Sequence, residues 1–455
     1  MFSRWQAKGG YRDVFRVGLP LVASMASATV MQFTDRVFLG NYSLDALAAS
    51  LSGSVVNFVF MAFFSGVASY ATVFVAQYVG SGQPRNVGPV VWQSVWFSLA
   101  AGACMALLSL VGPSIFALAG HAPEVRELEC AYFSILSVAS GLNIFGVSLA
   151  CFYSGRGLTR TVMLVSLAGA LVNIPLDYCL INGYGPFPEM GIRGAGYATA
   201  IGWALSAALY ALLVLRRANE AEFAMLSGFR FDRELFLRLM RFGLPSGTQV
   251  FLDMFGVTFF ILLVGRMGNA ALATTNMVFS LDHFSFLPMY GLHVAAEVMV
   301  GQALGAGRAD DAAYAAGSAV RLCFGWAVVV SIIFVFCPGP LLDMFRPSSY
   351  TPEQYAQIRH TGEVLLRFVA AWALFEAFAI GYMGALKGAG DTRFVMLLIG
   401  ACSLSTLVIP TYFVVEVFDA GLYAAWSCVL LNVILLSVFA RWRFAQGRWK
   451  RMRVI

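Results

Sequence analysis

The chain has 455 residues, 59% hydrophobic and only 12% charged, with a mean hydropathy of +0.75. A soluble domain carries about 25% charged residues, so water-soluble classes are excluded and the chain reads as an all-α polytopic membrane protein. The net charge of +6 does not point to nucleic acid, because the basic residues lie mainly between apolar segments, where membrane proteins keep them.

Spanning the hydrocarbon as a helix takes about 20 apolar residues. Lipid offers no water to satisfy an open sheet edge, so helices are the choice. Twelve such segments are predicted: 14–39, 53–79, 88–112, 127–152, 161–183, 194–215, 236–262, 272–301, 315–338, 362–385, 394–417 and 421–441. Seven of the 30 Lys and Arg residues (Arg36, Arg126, Arg193, Arg266, Arg346, Arg359 and Arg367) fall on one side of this path, leaving 23 on the side of the two termini. The basic side is expected to be cytoplasmic, in an inner or plasma membrane. The eight cysteines form no Cys-x-x-Cys pair and read as small core residues.

The first segment ends in Gln32-Phe33-Thr34-Asp35-Arg36. Asp35 lies 21 residues beyond Val14, about 31 Å along a helix, and Gln32 shares its face. One reading is a hydrated interfacial carboxylate paired with Arg36; the other is a loading site. In the fifth segment Asn173 and Asp177 are four apart, on one face. Pro175 between them withholds a backbone hydrogen bond, so freed carbonyls, an amide and a carboxylate make a candidate Na⁺ site, by analogy with other hard cations. The alternative is an interhelical hydrogen bond that only packs the bundle.

A basic link at 216–235 separates a lobe at 1–215 from a second at 236–441, and a basic tail fills 442–455. In the seventh segment Asp253 follows Gln249 by four; the tenth carries Glu376. In the eighth, Phe279, His283, Phe286, Tyr290, His293 and Glu297 step by fours and threes along one stripe. Such a stripe is expected to line an interhelix space or cleft, where aromatic faces suit organic cations, unless it is a packing seam. Asp282 lies off the stripe, and Glu363 and Arg367 are expected to pair at i,i+4.

Internal symmetry is extensive. Arg16-Val17-Gly18-Leu19-Pro20 matches Arg241-Phe242-Gly243-Leu244-Pro245 at an offset of 225, and Gln77–Gly82 matches Gln302–Gly307. The offset becomes 233 where Gly155-Arg156-Gly157 matches Gly388-Ala389-Gly390. Two six-helix halves with the same topology follow, related by a pseudo-twofold axis along the membrane normal. By the longer offset Glu376 corresponds to Asn143.

The stretches "TDRVFLGNYSLDALAA", "VAQYVGSGQP", "NIPLDY", "VGQALGAGRADDA" and "ALKGAGDTR" resemble the multidrug and toxic compound extrusion (MATE) family, over about 10–445. The resemblance implies a two-lobed, twelve-helix exporter of organic, often cationic, compounds in exchange for H⁺ or Na⁺. It implies a cation-coupling site of Asp35, Asn173 and Asp177, with Thr199 a weaker match. It also implies acidic positions in the second lobe at Asp253 and Glu376, where Asp253 replaces a frequent Glu. The substrate cavity is expected to involve Gln32, Asn143, Gln249, Phe279, His283, Phe286 and Tyr290. No cofactor is expected beyond the coupling ion, and a monomer is expected to suffice.

Enzyme motifs are absent: the glycine-rich stretches follow no strand and lack the Gly-Lys-Ser/Thr of a phosphate loop. A lipid-linked oligosaccharide flippase of related architecture is the competing reading. Twelve spans and an acidic interior count against it, since such flippases usually add two helices and hold more basic cavities. An exporter dedicated to one metabolite is a further alternative.

Overall fold

The structure, a computed structural model, describes residues 2–119, 121–345 and 352–455; Arg346, used above to orient the chain, lies outside them. Among the described residues the regular elements are helical. Twelve helices are long and apolar enough to cross a membrane: α1 (Tyr11–Tyr42), α2 (Leu44–Gly80), α3 (Pro84–Ser109), α4 (Pro123–Gly155), α5 (Thr159–Asn182), α6 (Ile192–Val214), α7 (Arg233–Arg266), α8 (Asn269–Gly305), α9 (Ala309–Phe336), α10 (Tyr355–Ala389), α11 (Thr392–Val417) and α12 (Leu422–Ala445). Several run past the predicted apolar segments, because polar turns continue a helix outside the hydrocarbon. The turn between α1 and α2 is a single residue, Ser43, whose hydroxyl caps α2 by accepting from the Ala46 N–H at 3.4 Å. In α11, two stretches of wider π-type turns flank Pro410, which has no N–H for the regular ladder.

The chain divides into two compact units, an N-lobe of 20–251 with 454–455 and a C-lobe of 1–19 with 252–453. The division therefore passes within α1 and α7, rather than through the link expected at 216–235. The reason is local packing. In the N-lobe, α7 lays Gly243 and Gly247 against α2, where a Cβ on Gly243 would stand 3.1 Å from the Val67 carbonyl oxygen and one on Gly247 would meet Phe63 O at 2.5 Å. In the C-lobe, the first turns of α1 lay Gly18 against α8, 3.3 Å from the Gly291 carbonyl oxygen by the same measure. The link is itself folded onto the N-lobe. Phe223 and Met225 are buried, Trp92 of α3 donates to the Met225 carbonyl at 2.6 Å, and the Arg156 guanidinium lies 4.1 Å above the Phe223 ring.

The sequence repeat is a structural repeat. The turns after α2 and α8 each use a left-handed glycine, Gly82 at φ +73° and Gly307 at φ +74°, as do those after α4 and α10, Gly157 at φ +75° and Gly390 at φ +105°. In the N-lobe Gly155 brings α4 onto Thr72 of α2; in the C-lobe Gly388 brings α10 onto the backbone of Glu297 of α8. Thr72 and Glu297 are 225 apart, Gly155 and Gly388 233 apart. Each lobe has its own apolar core. In the C-lobe it is dominated by Phe260, Trp372 and Trp426, with Trp372 and Trp426 stacked at 5.3 Å and 3°. All eight cysteines are free, and Cys151, Cys323, Cys402 and Cys428 are buried. Glu363 pairs with Arg359 at 3.7 Å rather than with Arg367, one turn back along α10 instead of one turn on, and Arg359 also reaches Asp343 at 3.2 Å.

Candidate functional site

In the N-lobe, α1, α4 and α5 bring polar groups to one buried point, with α6 packed beside them. Asp35 of α1 is 9% exposed, Asn173 of α5 1% and Asp177 of α5 0%; Thr199 of α6 is also buried. Asn173 and Asp177 share a face because they are four apart on α5, with Pro175 inside the helix. Gly202 of α6 makes room for them, since a Cβ there would stand 3.3 Å from Asn173 Cβ. Tyr132 of α4 donates its hydroxyl to Asp35 Oδ2 at 3.0 Å. The carboxyls of Asp35 and Asp177 are within hydrogen-bond reach of each other. Asp35 Oδ1, both oxygens of Asp177 and both side-chain polar atoms of Asn173 are buried without a hydrogen-bond partner among the described residues.

Two carboxylates in contact inside a low-dielectric bundle repel, and burying either charge is costly. A proton shared between them, or a cation bound by them, relieves the repulsion and cancels one of the two buried charges. The Asn173 amide oxygen adds a neutral ligand of the kind hard cations take. The donor set fits a proton or a small cation. Among the described residues no cluster of three or more His, Cys, Asp or Glu side chains that could hold a metal ion is found.

The C-lobe carries a second acidic group. Glu376 of α10 lies within electrostatic range of both Asp253 of α7 and Asp282 of α8, and Tyr290 of α8 is within range of Asp253. Trp372 of α10 donates its indole N–H to Asp282 at 3.4 Å, and Glu376 Oε2 is buried without a partner among the described residues.

The expected substrate residues divide between the lobes. Gln32 is exposed on α1, Asn143 half-buried on α4, and Gln249 buried on the N-lobe part of α7. The α8 stripe holds over part of its length: Phe286 and Tyr290 are in ring contact at 5.7 Å, and Tyr290 stacks on His293 at 5.5 Å. Phe279 instead joins Trp426, 5.2 Å away, while His283 is exposed. Sequence reading passed over Tyr132, a phenol in an apolar helix with no motif around it, and left Asp282 without a partner.

The fold, with one buried and one half-buried acidic group, defines a multi-pass, all-helical membrane protein of the transporter class. The sequence profile of the MatE family matches residues 20–179 and 245–413, so the chain belongs to the MatE family. It is 26% identical over 450 residues to the "Probable multidrug resistance protein NorM" of Thermotoga maritima, covering 98% of this chain and 94% of that one. It is 27% identical over 399 residues to "Multidrug resistance protein PmpM" of Pseudomonas aeruginosa, covering 85% and 80%. Among solved structures, the fold is similar to one described as the "outward-facing conformation of a multidrug resistance MATE family transporter of the MOP superfamily", with a TM-score of 0.87, 20% identity and 96% of each chain covered. It is equally similar, at TM-score 0.87, 20% identity and 98% coverage of each, to a MOP superfamily transporter from Pyrococcus furiosus.

Proposed function

We infer that the protein is a secondary active exporter of organic, mainly cationic, compounds, driven by H⁺ or Na⁺ antiport with rocker-switch alternating access. It works as a monomer in the cytoplasmic membrane with both termini inside, as the basic side of the chain suggests. Export is driven by the coupling ion without a cofactor, and the chain catalyses no covalent reaction. The relatives named for multidrug resistance support the substrate class.

The observation that carries the coupling is the buried Asp35–Asp177 pair with its unpartnered oxygens. Loading with a proton or cation takes one negative charge off the pair and lets α1 and α5 close over it. Unloading restores a charge that favours an organic cation. One negative site that cannot hold both ligands exchanges one for the other. The alternative favoured by a specific observation is coupling through the C-lobe trio, because Glu376 is also buried with an unpartnered oxygen.

Efflux of ethidium from proteoliposomes, with ΔpH and a Na⁺ gradient imposed separately, tests both. H⁺ coupling in the N-lobe requires that ΔpH alone drives the wild type and that Asp35→Asn abolishes it. Na⁺-driven export lost only in Asp253→Asn or Glu376→Gln moves the site to the C-lobe. No gradient-driven movement of any organic cation would favour a flippase or an exporter of one metabolite.

A further inference from the structure

The start of α4 holds an ionisable cluster outside the coupling site. His121, two residues before the helix, is 45% exposed, and its Nδ1 lies 2.8 Å from Oε1 of Glu129, whose side chain is 0% exposed. The hydroxyl of Ser52 on α2 donates to the same oxygen. Glu129 Oε2 is buried without a partner among the described residues, which is an expensive way to place a carboxylate. Three residues on, along the same face of α4, Tyr132 donates to Asp35. Gly53 of α2 lets both approach: a Cβ there would stand 3.2 Å from Tyr132 Cδ1 and 3.6 Å from the Glu129 carbonyl oxygen. The order from solvent inward is imidazole, carboxylate, phenol and carboxylate pair. Charged side chains in the same first turns of α4 are the exposed Glu124, Arg126 and Glu127, and Arg36 lies beside Asp35.

We propose that His121 and Glu129 form a proton relay that joins the aqueous phase at the start of α4 to Asp35 through Tyr132. The relay rests on the proton-antiport reading and deepens it. A proton from water binds His121 Nε2 as the Nδ1 proton passes to Glu129 Oε1. The imidazole is left neutral in its other tautomer, and exchange with water, which gives a proton to Nδ1 and takes one from Nε2, resets it. The Glu129 acid turns, or uses one water, to give its proton to the phenol oxygen of Tyr132. Tyr132 releases its own hydroxyl proton to Asp35 Oδ2. The balance is one proton moved from water to Asp35, with Glu129 and Tyr132 returned to their starting forms and no change of oxidation state. Since the sparse-basic side is expected to face outward, this path loads the site from outside.

The test uses full-length protein in proteoliposomes with ethidium as probe and two assays: ΔpH-driven ethidium movement, and ethidium exchange at equal pH, which needs no net proton flux. Glu129→Gln is expected to slow the driven mode by roughly tenfold to a hundredfold, at the low end of what positioned proton transfer contributes, and to leave exchange within about twofold. His121→Gln is expected to slow the driven mode too, and added imidazole buffer to restore it. Ser52→Ala, which keeps every proton carrier, is expected to behave as wild type. A structural clamp gives the other pattern, with Ser52→Ala and Glu129→Gln slowing both modes, and would overturn the relay. Driven transport in Glu129→Gln that keeps pace with wild type overturns the relay alone and leaves antiport standing. Wild type that responds to Na⁺ but not to ΔpH overturns both.

Discussion

Tyr132 and Asp35, 97 positions apart in the chain, share a 3.0 Å hydrogen bond between two buried side chains. It ties α4 to α1 at the point where α1 holds its carboxylate. A phenol placed there both fixes the carboxylate's orientation and stabilises its charged form. Hydrogen bonds to charged groups are worth about 1.5–3 kcal/mol.

Tyr132→Phe keeps the ring and removes that donor. The variant is expected to fold, to stay monodisperse, and to lose roughly tenfold in the rate of gradient-driven export, the lower bound of that hydrogen-bond range. Export at the wild-type rate would reduce Tyr132 to a packing residue.

Asp35→Asn and Asp177→Asn each remove one of two carboxyls in contact. Relief of a buried charge is expected to leave the melting temperature in detergent unchanged or higher, while gradient-driven export is lost. A clear fall in melting temperature would assign the pair to the scaffold rather than to transport.

Glu297 and Lys387 are both buried, on α8 and α10, within electrostatic range of each other, and His293 lies 3.9 Å from Glu297. Lys387→Met leaves the Glu297 charge uncompensated and is expected to destabilise by ~3–5 kcal/mol. The double variant Glu297→Met/Lys387→Met is expected to recover most of it. Thermal unfolding of the four proteins of this cycle gives the coupling, and additive losses would show that the two residues do not act as a pair.

Gly155→Ala and Gly388→Ala each push a methyl into the backbone of a neighbouring helix. Overpacking of this kind costs about 1–3 kcal/mol, so both are expected to melt lower. Gly82→Ala, with open space around it but φ +73°, is expected to lose only about 1 kcal/mol of conformational strain. Equal losses at all three sites would contradict the close approach.

The sequence made the helices legible because hydrocarbon thickness imposes a length and a composition that few other constraints imitate. The repeat was legible because turn glycines such as Gly82 and Gly307 are fixed by backbone conformation, which survives divergence of side chains. Asn173 and Asp177 were legible together because one helix face joins them. Tyr132 and Glu129 were not, since what makes them polar partners is the approach of α4 to α1 and α2, a tertiary event. Phe279 left its stripe for the same reason: its stacking partners, Trp372 and Trp426, come from α10 and α12. The lobe boundary was misplaced at the link because composition marks where a chain leaves the membrane. It does not mark which neighbours a helix keeps once inside.

The placement of that boundary within α1 and α7 bears on how such a chain could have arisen. A six-helix ancestor cut at the link would carry an opening helix whose first turns belong with another copy's bundle. Gly18 has its seat on α8 and Gly243 on α2, so a lone half would leave the seat on its own second helix bare. Two copies trading these turns would fill both seats, as arms are traded in a swapped dimer. Joining the copies end to end turns that exchange into an intramolecular one and removes its dependence on concentration. Separately expressed halves should then assemble only when made together.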